Sequence, residues 1–77
     1  MARGVVKFFN TLRGYGFIVP EGKVGIAAPD VYVHISDVER SGLTTLSADQ
    51  LVEYDLFEDR SGRRRAQNLK LIAALRR

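Results

Sequence analysis

Side chains alternate without a break through Val31-Tyr32-Val33-His34-Ile35, a two-residue period that only an extended strand converts into one apolar face and one outward face. The same period runs through Tyr15-Gly16-Phe17-Ile18-Val19, and again through Gln50 to Glu58, where Val52, Tyr54 and Leu56 oppose Glu53 and Asp55. Before Ser36 there is no helical period to compete with it. Turn residues set the limits: Gly4 to Asn10 reads as a first strand, Thr11 to Gly14 as a turn and Tyr15 to Val19 as a second strand. Pro20, which has no N–H for a ladder, stops that strand before a loop from Glu21 to Pro29. A third strand is expected from Asp30 to Ile35. Ser36 to Asp49 reads as a long connection with one helical turn capped by Ser36 or Asp37. Gln50 to Glu58, a hairpin turn from Asp59 to Gly62 and a strand from about Arg64 to Ile72 complete the chain.

Five short strands and no long helix predict an all-β fold, a five-stranded antiparallel β-barrel of OB type, because closure removes exposed edges from so small a sheet. The expected organisation is one domain over residues 1–72 with a short tail at 73–77. With 77 residues and no cysteine, neither disulfides nor a thiolate zinc site can staple the core, which below about 80 residues seldom supplies more than ~3 to 5 kcal/mol. No stretch approaches the roughly 18 apolar residues of a membrane span and the Met-Ala-Arg-Gly start has no apolar signal region, so a soluble, cytoplasmic protein is expected. A net charge of +3 and a pI of about 9.7 favour a polyanionic partner. Arg63, Arg64 and Arg65 are the densest basic run, open between a binding role and a solvated turn.

Parity sorts the aromatics. Val31, Val33 and Ile35 form the apolar set of their strand, so Tyr32 and His34 point outward; Ile18 sides with Gly16, so Tyr15 and Phe17 point outward from the neighbouring strand, with a glycine between them that leaves room for a ligand near the backbone. Four rings make a poor solvent surface but a good platform for unpaired bases, each worth roughly 1 to 3 kcal/mol when stacked. Lys7 and Arg13 flank it as phosphate partners.

The segments G-V-V-K-F-F-N (4–10), R-G-Y-G-F-I (13–18) and D-V-Y-V-H (30–34), continued by Ile35-Ser36, Gly42, Leu46, Gln50-Leu51-Val52 and Ala66-Gln67-Asn68-Leu69, resemble the bacterial cold-shock domain family over nearly the whole chain. The resemblance implies an OB-type barrel that binds single-stranded RNA or DNA, serving as an RNA chaperone or a regulator of transcription or translation. It implies contact roles for Lys7, Phe8, Asn10, Arg13, Tyr15, Phe17, Tyr32 and His34, with Asp30 as a nearby hydrogen-bonding group. Strict alternation cannot put both Lys7 and Phe8 outward; a bulge or strong twist would reconcile them. The chain departs from the family pattern at Phe8, where tryptophan is common, and at Ile35 and Leu43, where many members carry aromatics. The smaller platform should bind more weakly than an aromatic-rich one, by ~2 to 4 kcal/mol if every site were used. The loop from Glu21 to Pro29 is longer than usual and carries Val24, Ile26, Ala27 and Ala28, with packing on the barrel rim favoured over a partner contact or an extended hairpin.

Other classes fare worse. R-G-Y-G-F-I also matches the start of an RNA-recognition motif, but there the V-Y-V-H-like strand should come first and two helices should intervene. An enzyme is not expected: a single histidine without cysteine makes no typical zinc site, and no acid is evidently placed to complete a triad with His34 and Ser36. No cofactor or metal is expected. The remaining alternative is an OB-type protein-interaction module with weak or no nucleic-acid binding, motivated by the reduced platform and the apolar Leu71 to Arg77 segment. A monomer is expected, and strand exchange into a swapped dimer stays open.

Overall fold

The computed structural model describes residues 2–21 and 30–74. The strands are β1 (Ala2–Asn10), β2 (Tyr15–Pro20), β3 (Val31–His34), β4 (Gln50–Glu58) and β5 (Arg64–Ala74), with one helix, α1 (Ile35–Arg40), between β3 and β4. They form a closed barrel in the order β1-β2-β3-β5-β4, and β1 returns to β4 to complete it. The all-β, five-stranded barrel expected from the alternation is the observed fold. Every pairing is antiparallel except the short parallel contact of β3 with β5 at Tyr32 and Arg65.

Closure depends on β1 serving two neighbours at once. Its first residues pair with β4 and its later ones with β2, and Gly4 pairs with both Val52 and Pro20. A Cβ at Gly4 would collide with Ile18 and lie 2.6 Å from the Val19 carbonyl oxygen, so only glycine lets the strands approach this closely. The barrel interior holds Val6, Ile18, Val31, Val33, Val52, Tyr54, Ala66 and Leu69, while Val38 of α1 and Leu46 cover one end. Ala66 and Leu69 are three positions apart, a spacing that simple alternation forbids. The β4–β5 register shifts there, and Asn68 takes φ 52°, so a bulge turns Leu69 inward. The Asn68 side-chain amide donates to Asp55 Oδ2 at 2.8 Å and pins it.

The third strand ends one residue sooner than expected. Ile35 is the first residue of α1, and its side chain packs on the edge of the core. The helix is capped by His34 rather than by Ser36 or Asp37, because the imidazole Nδ1 already accepts the Ser36 N–H at 3.1 Å. Asp37 closes a capping box by accepting the His34 N–H at 3.4 Å. The first and last strands run slightly beyond their expected limits, to Ala2 and Ala74. The apolar part of the long loop and residues 75–77 of the expected tail lie outside the described residues. Among the described residues no helix is long and apolar enough to cross a membrane.

Candidate nucleic-acid interface

Phe8, Tyr15, Phe17, Tyr32 and His34 project from one outward face of β1, β2 and β3. Cross-strand register makes this inevitable: Phe8 pairs with Phe17, Phe17 with Tyr32, and Tyr15 with His34. Directly paired residues share a face, and the rings of Phe8, Phe17 and Tyr32 meet across the strands. Phe17 stands edge-on to Phe8 at 5.7 Å, to Tyr32 at 5.9 Å and to Tyr15 at 6.0 Å between centroids. Tyr15 and Tyr32 lie nearly parallel at 6.1 Å, and His34 follows Tyr32 at 6.4 Å. Edge contacts hold the rings against one another, and with Phe8 exposed and the other four half-buried the row presents aromatic surface on which a base can stack.

The conflict between Lys7 and Phe8 is resolved by a bulge. The β1–β2 register shifts between Val6 and Phe8, so Val6 is buried while Lys7 and Phe8 are both exposed. Gly16 corrects another expectation. It faces inward, where a Cβ would strike the Phe8 carbonyl oxygen and come within 2.8 Å of Phe9 Cα. Glycine is required there for the approach of β1 to β2, not for the approach of a ligand.

Charge borders the rings unevenly. Lys7 Nζ pairs with Asp30 Oδ2 at 3.1 Å, each thereby offsetting the other. Asn10 Oδ1 accepts the Arg13 backbone N–H at 3.0 Å, so this side chain holds the β1–β2 turn and leaves its amide nitrogen outward. Arg13 is exposed in that turn and makes no ion pair among the described residues. His34 Nδ1 is the acceptor for Ser36 N–H, which places the proton of the neutral ring on Nε2.

The family model described as "'Cold-shock' DNA-binding domain" matches residues 2–72. The chain belongs to the cold-shock domain family. Among curated relatives, "Probable cold shock protein y4cH" of Sinorhizobium fredii is 48% identical over 71 residues, covering 91% of this chain and 97% of the relative. "Cold shock protein CspA" of Rhizobium meliloti is 45% identical over 71 residues with the same coverage, and "Cold shock-like protein CspD" of Escherichia coli is 39% identical over 62 residues, 80% of this chain and 78% of the relative. Nucleic-acid binding is the general role that membership of the family carries.

In this cold-shock domain the arginine run is more than a solvated turn. Arg63 lies over the Tyr32 ring with its guanidinium carbon 4.9 Å from the centroid, and Arg65 lies at 5.8 Å. Arg65 in turn reaches Asp37 Oδ2 at 2.9 Å, and that carboxylate is only 2% exposed. The bond to Asp37 raises the Arg65 pKa above its already high value, so the guanidinium stays charged throughout the accessible range. The β4–β5 turn that carries Arg63 is held by Asp59, whose Oδ1 accepts from the Ser61 hydroxyl at 2.7 Å and from the Arg63 N–H at 2.9 Å. These bonds favour its carboxylate and lower its pKa. Between the turn and the platform lies an open cleft of about 550 Å³, bounded by Phe17, Asp30, Tyr32, Gly62, Arg63 and Arg64. The Asp37–Arg65 pair escaped sequence reading, since residues 28 positions apart meet only through the β3–β5 contact, and for the arginine run the sequence leaves a binding role open. The density of the run was the one available signal. Ile35 and Leu43, where aromatics are absent, pack instead against the edge of the core.

Proposed function

We propose that this cold-shock domain binds single-stranded RNA or DNA by stacking bases on Phe8, Tyr15, Phe17, Tyr32 and His34. The observation that carries the reading is the continuous outward face of five rings with adjacent centroids 5.7 to 6.4 Å apart, bordered by cations. Arg13 and Lys7 meet phosphates, Arg63 joins them from the β4–β5 turn, and Asp30 and the Asn10 amide offer hydrogen bonds to base edges or sugar. Binding competes with base pairing, so the protein keeps RNA unstructured, the work of an RNA chaperone. It acts without cofactor and catalyses nothing: a triad needs the histidine Nδ1 directed at an acid, and in this domain Nδ1 caps a helix. The binding unit is the domain of residues 1–72, with β5 running on to Ala74 into the tail at 73–77, and it works as a cytoplasmic monomer.

Fluorescence anisotropy with a labelled pyrimidine strand of about six to eight bases, within the range one OB barrel covers, tests the reading. With about three or four phosphates neutralised, log affinity should fall with log salt at a slope near −2 to −3, at about −0.7 per phosphate. A duplex of the same sequence should bind more weakly. Failure to bind the single strand at low salt would leave the protein-interaction module as the better account of the ring-lined face.

A further inference from the structure

Tyr32 is not the end of the platform row. Its partner on β5 is Arg65, and the partner of Arg65 on β4 is Phe57. One cross-strand row therefore runs Phe8, Phe17, Tyr32, Arg65, Phe57 around all five strands of the barrel. Register fixes its facing: Ala66 next to Arg65 is fully buried, and Leu56, which pairs with Ala66 and is itself 50% exposed, belongs to the opposite side of β4 from Phe57. Phe57 is 44% exposed although it is a large apolar ring in a paired strand, and nothing in its own strand requires an aromatic there.

We propose that the base-binding surface continues past Tyr32 across Arg65 to Phe57, which stacks one further base of the same strand. This rests on the proposed function and extends it. Arg65 suits the intermediate position because a planar guanidinium stacks on bases as a ring does, and Asp37 holds it still. Two inter-strand steps of about 4.8 Å put Phe57 about 10 Å from Tyr32 along the row. Arg63, with its guanidinium carbon over the Tyr32 ring at 4.9 Å, brings a cation within reach of the phosphate between the two bases. Two of the nearby acids are already committed, and Glu58 lies on the opposite parity of β4, across from Arg64. Asp55, on the parity of Phe57, accepts from Asn68 Nδ2 at 2.8 Å, and Asp59 is turned into the hairpin.

The chain has no tryptophan, so Phe57→Trp and Phe8→Trp each create a single reporter. Saturating a strand of about ten pyrimidines, inside the range of OB sites, should quench both reporters, whereas a strand of about five should quench Trp at position 8 far more than at position 57. Phe57→Ala should weaken the longer strand about fivefold or more and leave the shorter one unchanged, with Leu56→Ala as a control for loss of an exposed apolar group on the other side. If position 8 responds while position 57 stays silent with every length, and Phe57→Ala binds long strands as tightly as the parent, the extension is refuted and the platform stands. If position 8 is also silent and no strand binds, the stacking function itself has failed.

Discussion

Replacing Asp37 by alanine would test the most concentrated electrostatic feature of the fold. The carboxylate is buried, accepts the His34 N–H, and neutralises Arg65, whose Nε already has no hydrogen-bond partner among the described residues. Removing one member of a fully buried pair costs about 3 to 5 kcal/mol because the other charge is stranded. The Arg65 side chain keeps 28% exposure, so water recovers part of this and about 2 to 3 kcal/mol remains. In a domain holding roughly 3 to 5 kcal/mol, that lowers Tm by roughly 10 to 20 °C, read by thermal and urea unfolding followed by circular dichroism. The double variant Asp37→Leu with Arg65→Met, which removes both charges, should recover to within about 1 kcal/mol of the parent. The reasoning fails if Asp37→Ala costs under about 0.5 kcal/mol, the behaviour of a solvated surface pair, or if the double variant is no better than the single one.

Burial raises the Tyr54 pKa by disfavouring the phenolate, so its contribution to stability is intact below the ordinary tyrosine value near 10 and is lost as pH rises through the folded value. Urea midpoints should therefore fall on the alkaline side of about pH 10, and Tyr54→Phe should flatten that part of the fall; an unchanged profile in the variant would contradict the assignment. Gly16→Ala should unfold the protein or separate β1 from β2, since the added carbon meets backbone that cannot yield. Backbone amide exchange along Phe8 to Asn10 checks this, and native protection there would show that the strands can move apart.

The strands and the facing of Tyr15, Phe17, Tyr32 and His34 were legible because period two is a local signal and one face of each strand must be apolar. The bulge at Lys7 was legible as a contradiction, two adjacent residues that could not both point outward unless the register slipped. What escaped depends on neighbours brought together by closure. Asp37 could be taken for a helix cap, but its ion pair with Arg65 exists only where β3 meets β5 in parallel. His34 took the cap from Ser36 because its ring sits at the strand end with Nδ1 already facing the Ser36 N–H. The Asn68 bulge compensates for a three-residue spacing between Ala66 and Leu69 that the expected strand from Arg64 to Ile72 passed over. Phe57 follows Leu56 and reads as a run of apolar residues until the register separates their faces.

The stacking platform is tested most directly by titrating a labelled pyrimidine single strand with the parent and with Phe17→Ala combined with Tyr32→Ala, both confirmed folded by circular dichroism. The account predicts that the parent binds and the double variant loses at least ~2 kcal/mol, about a thirtyfold rise in Kd, with the salt slope preserved because no cation was removed. Equal affinity in the two proteins would contradict it, placing the nucleic acid on charge alone or on another face of the barrel.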